Sequence, residues 1–61
     1  MDKKEIKKIR KALKASQEKF AQMLGASFAT VNRWETGKTV PSRLYVKEIN
    51  QLREKNGIKL R

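Results

Sequence analysis

The stretch AQMLGASFATVNRW, residues 21–34, carries two short helical apolar patterns that meet at a single glycine. Phe20, Ala21 and Leu24 lie on one helix face before it, and Val31 and Trp34 share a face after it. Gly25 follows the last apolar position of the first run, where a residue without a Cβ closes a helix in the left-handed conformation without a clash. Ser27 then stands where a good N-cap for the second run is needed. Two helices separated by about three residues must cross at a large angle, and small Ala21 lets them approach closely.

Outward from this corner, the chain reads as four helices and a tail. Ser16 is an N-cap for the second helix, with Glu18 in the first turn, where the helix dipole favours an acid. Upstream, residues 2–14 place Ile6, Ile9 and Leu13 on one stripe and Lys3, Lys4, Lys7, Lys8, Lys11 and Lys14 elsewhere, and Asp2 with Glu5 resembles a capping box. Downstream, Gly37 stops the third helix, and Ser42 caps a fourth that runs to about Lys55 with Leu44, Tyr45, Ile49 and Leu52 inward. Asn56 and Gly57 end it. With no internal repeat or low-complexity linker, one domain over residues 1–55 with a tail over 56–61 is expected.

Composition narrows the function. Leu, Ile, Val and Phe make up 14 of the 61 residues, little above the level at which a charged chain stays disordered, so helical spacing of these residues is what favours folding. Sixteen Lys and Arg face 6 Asp and Glu, a formal net charge of +10 on a small body, and such a field suits a polyanion. There is no cysteine and no histidine, which removes disulfides, thiolate and imidazole metal ligands and the commonest general base. No cofactor or metal and no catalysis are expected, because scattered carboxylates without histidine make no catalytic constellation. No run is apolar enough to span a membrane and MDKKEIKKIR leads into no export signal, so a cytoplasmic protein is expected.

The segment SQEKFAQMLGASFATVNRWETGKTVPS, residues 16–42, resembles the Cro and lambdoid-phage-repressor type of helix-turn-helix, the xenobiotic-response-element-like family of bacterial and phage DNA-binding regulators. The likeness extends over roughly residues 5–53, with IKKIRKALKASQEKFAQ as first and second helices and WETGKTVPS as the ending usual in that family. It implies an all-α, compact four-helix domain of the lambda-repressor-like DNA-binding fold. It also implies a third helix in the DNA major groove and a second helix across the backbone. Glu48 stands where such domains commonly have leucine, and it interrupts the apolar stripe of the fourth helix.

Candidate contacts divide by chemistry. On the outward side of the third helix, Asn32 suits an adenine edge, Arg33 suits guanine O6 and N7, and Ala29 suits a thymine methyl. Phe28 on that side suits either thymine methyls or local packing. Gln17, at the start of the second helix, is by resemblance a phosphate contact beside free helix N–H groups, with a solvated side chain as the alternative. Ser27 has a capping and a backbone role. Lys38, Thr39 and Arg43 are by resemblance backbone-phosphate contacts, against the alternative of an ordinary basic loop, and Thr36 on the outward side of the third helix completes the backbone set. The lysines of the first helix read as a solvated face that deepens the field. Arg10 and Glu35 border the inward faces of two helices and are expected to pair; Gly25 makes the turn and Trp34 belongs to the core.

The function expected is sequence-specific binding of double-stranded DNA as a transcriptional regulator, a repressor where its site overlaps a promoter. One alternative is the antitoxin of a toxin–antitoxin pair, with a toxin as protein partner. Another is a nonspecific cationic helical protein on RNA or an anionic membrane, against which the glycine and proline punctuation argues. The short tail, with Ile58 and Leu60 for small contacts, suggests a weak or DNA-assisted homodimer.

Overall fold

Each helix begins on a short polar side chain that satisfies a free amide. The computed structural model describes residues 1–58, and its elements are α1 (Lys3–Ala12), α2 (Gln17–Leu24), α3 (Phe28–Thr36) and α4 (Arg43–Lys55). Asp2 accepts from the Glu5 amide at 2.8 Å, Ser16 from Lys19 at 3.0 Å, Ser27 from Thr30 at 3.1 Å and Ser42 from Tyr45 at 3.4 Å. The fold is all-helical and of the lambda-repressor-like type expected, with no strand among the described residues.

The helix ends are also alike. After α2 the Ala26 amide donates to Ala21 O at 2.9 Å, across a left-handed Gly25 with φ +69°. After α3 the Lys38 amide donates to Arg33 O at 3.0 Å, across Gly37. These six-residue closures satisfy carbonyls that the helix itself leaves unpaired. α1 ends in the same way but on Lys14, at φ +57°, with the Ala15 amide on Arg10 O at 3.3 Å. The stripe read as helical through residue 14 therefore stops at Ala12, and Leu13 and Lys14 belong to the turn.

Buried Ile6, Ile9, Phe20, Ala21, Leu24, Val31, Trp34 and Ile49 form one core. α3 packs on both α2 and α1, and α4 closes the base against α2. Trp34 and Tyr45 meet edge to face, ring centroids 5.2 Å apart, joining α3 to α4. Two expectations for α4 are corrected. Leu44 does not point inward and keeps 67% of its surface exposed. The inward stripe is Tyr45, Ile49 and Leu52, at i, i+4 and i+7 from Tyr45, and Leu44 lies one residue off it. Glu48 is exposed beside that stripe, so it does not interrupt the packing. Of the tail, Ile58 is half-buried, and its amide bonds Arg53 O at 3.0 Å across Gly57; Leu60 lies outside the described residues.

Candidate nucleic-acid interface

Because α3 is held on one side by two helices, its other side is free to meet a ligand. Phe28, Ala29 and Arg33 lie there and are exposed, with 52% of the Phe28 surface accessible. Phe28 is therefore not consumed by local packing. Over its nine residues α3 is about 13 Å long, comparable with the roughly 12 Å width of the major groove.

Asn32 departs from the outward set. It is half-buried, and its Nδ2 donates to Gln17 Oε1 at 3.2 Å. Gln17 is not a solvated side chain either: its Nε2 donates to Glu35 Oε1 at 3.1 Å. Glu35 is buried, and Arg10 grips both its oxygens, Nε on Oε2 at 2.6 Å and Nη2 on Oε1 at 3.0 Å. A third Arg10 donor, Nη1, reaches Ala15 O at 2.9 Å in the turn that follows α1. The Arg10 and Glu35 side chains keep only 14% and 1% of their surface exposed. Burial pushes the Glu35 carboxyl pKa up, but hydrogen bonds from Arg10 and Gln17 and the charges of Arg10 and Lys7 outweigh it and hold the group below the usual carboxylate range. Glu35 is thus ionised at neutral pH.

The remaining candidates are spread around α3. Ser27 Oγ caps the helix and lies 2.8 Å from Thr30 Oγ1. Thr36 turns its hydroxyl proton inward, onto Asn32 O at 2.9 Å and Arg33 O at 3.2 Å, so it contacts a phosphate only by rotating away from them. Lys38 and Thr39 are exposed in the loop after Gly37, and Arg43 is exposed in the first turn of α4. Gly25 and Trp34 take the structural places described above.

Sequence reasoning missed the bridging part of Gln17, because its partners lie 15 and 18 residues away and no local pattern signals them. It also missed Lys3, whose side chain crosses to the far end of α3. A Cβ added to Gly37 would stand 3.3 Å from Lys3 Cδ. This puts a cation from α1 beside the start of the Lys38 loop. Among the described residues no helix is long and apolar enough to cross a membrane, and no group of acidic side chains is placed to hold a metal ion.

No curated protein and no solved structure matches the chain significantly. A family model described as "Helix-turn-helix" matches residues 6–52, which include all of α2 and α3 and most of α1 and α4. With that match over most of its length, the chain belongs to the helix-turn-helix family of DNA-binding regulators of the Cro and lambdoid-repressor type.

Proposed function

We propose that the domain is a sequence-specific reader of duplex DNA that acts as a transcriptional repressor, with α3 lying in the major groove. The carrying observation is the exposed row of Phe28, Ala29 and Arg33 on a helix whose opposite side is locked into the core. Arg33 grips a guanine, Ala29 and Phe28 meet thymine methyls, and Asn32 meets an amine-bearing base. Ser27, Lys38, Thr39 and Arg43 touch the phosphate backbone, Gln17 does so with the Nε2 proton that Glu35 leaves free, and Thr36 joins them once its hydroxyl rotates. The net charge of +10 supplies affinity that does not depend on sequence. Where the site overlaps a promoter, occupancy excludes polymerase.

Selection of bound duplexes from a random pool at a stated salt concentration tests this reading. Enrichment of a short motif containing a guanine supports it, and a pool that stays random after several rounds overturns it in favour of general polyanion binding.

A further inference from the structure

The side chains that join α1, α2 and α3 form one directed chain of donors and acceptors, and its direction is set at the buried end. An ionised carboxylate only accepts hydrogen bonds. Glu35 therefore requires Gln17 to present Nε2, as it does at 3.1 Å; a flipped amide would set a carbonyl oxygen against the carboxylate. With Nε2 turned to Glu35, Gln17 presents Oε1 on the side of Asn32. Asn32 must answer with Nδ2, as it does at 3.2 Å. The orientation of two amides thus follows from the charge on Glu35, which Arg10 holds in place.

One acceptor is left over. Asn32 Oδ1 has no hydrogen-bond partner among the described residues, and it belongs to a half-buried side chain at the edge of the exposed row. We propose that Gln17 is a positioning residue that turns the Asn32 amide so that Oδ1 faces the bound nucleic acid and selects a base carrying an exocyclic amine, adenine or cytosine. In the major groove these bases present an N–H donor where guanine and thymine present an oxygen. An outward Asn32 amide free to flip would offer either a donor or an acceptor and would discriminate weakly. The proposal rests on the reading of α3 as the groove-facing helix.

The test compares wild type, Gln17→Met and the double variant Gln17→Met/Asn32→Asp on duplexes from the selected pool, permuted at the position read by Asn32. Wild type is expected to favour adenine or cytosine there by about fivefold, the worth of one net hydrogen bond. Gln17→Met keeps side-chain length without the amide and is expected to lose that preference while keeping the guanine preference of Arg33. In the double variant a carboxylate accepts in every orientation, so the preference for an amine-bearing base returns at lower overall affinity. An unchanged preference in Gln17→Met overturns the relay, including when affinity falls equally on all duplexes as loss of a phosphate contact alone would make it. A double variant without preference also overturns it.

A wild-type pool with no motif defeats the reading of the domain itself, whereas a motif with guanine or thymine at this position defeats only the relay. Should Gln17→Met not fold, side-chain amide exchange in the wild-type protein decides. Asn32 Nδ2 protons exchanging more slowly than those of exposed Gln22 support the relay, and equal rates overturn it.

Discussion

On its inward side α3 carries Val31, Trp34 and Glu35, all buried, whereas its outward side carries Phe28, Ala29 and Arg33, all exposed. Every inward residue has a structural use: Val31 and Trp34 fill the core and Glu35 anchors Arg10 and Gln17. Nothing in the packing requires a phenylalanine or an arginine on the other side. Residues whose identity the fold does not explain are those left for a ligand to explain. Asn32 lies between the two sides and is bonded to the first while bordering the second. Substitutions should therefore divide by face, inward ones changing stability and outward ones changing binding.

The largest effect is expected at Trp34. Truncating a buried large aromatic to alanine costs about 3 to 5 kcal/mol, and a chain of this size has about 3 to 9 kcal/mol in all. Trp34→Ala is expected to lose its cooperative thermal transition by circular dichroism. A melt within a few degrees of wild type would place Trp34 outside the core.

Glu35 comes next, and its effect depends on pH. A carboxyl whose folded pKa lies below its unfolded value of about 4.3 contributes stability that is fully present above the unfolded value. That contribution is lost as pH falls through the folded value. Urea midpoints should thus hold steady from neutrality to about pH 5 and then decline on acidification. Glu35→Gln, which leaves Arg10 without its counter-charge, should cost about 3 kcal/mol at pH 7 and flatten this part of the decline. Parallel acid profiles for the two proteins would mean that the pair contributes nothing specific.

Smaller effects come from the turns that aim α3. At Gly25 there is open space for a Cβ, so Gly25→Val meets only the resistance of a β-branched residue to φ +69°, about 1 to 2 kcal/mol. At Lys14 a side chain already bears the left-handed conformation, and Lys14→Gly should gain up to about 1 kcal/mol. Chemical denaturation of both variants checks the opposite signs; a stabilised Gly25→Val would refute the account of the corner.

Much of this was legible in the sequence because its signals are local. Ser16 with Gly25, and Ser27 with Gly37, mark the bounds of α2 and α3 within a residue. The end of α1 was hidden because a lysine does there what glycine does elsewhere. Leu44 was misplaced because one apolar residue beside a true stripe is indistinguishable from a member of it until the neighbouring helix is in position. The Gln17 bridge was out of reach for the same physical reason: it depends on α2 and α3 being docked. Phe28, Ala29 and Arg33 were legible as outward residues, but the half-burial of Asn32, grouped with them, and the exposure of Phe28 required the fold.

The central claim is the division between base reading and backbone attraction, and paired titrations of Arg33→Ala and Lys38→Ala on a selected and a scrambled duplex at several salt concentrations test it most directly. Both residues are exposed, so neither change should alter stability by more than about 0.5 kcal/mol. Arg33→Ala is expected to lose about 1 to 3 kcal/mol on the selected duplex and little on the scrambled one. Lys38→Ala should weaken both alike and reduce the salt slope by about 0.9. If Arg33→Ala instead weakens both duplexes equally, α3 does not read bases through its outward arginine, and general polyanion binding gains what base reading loses.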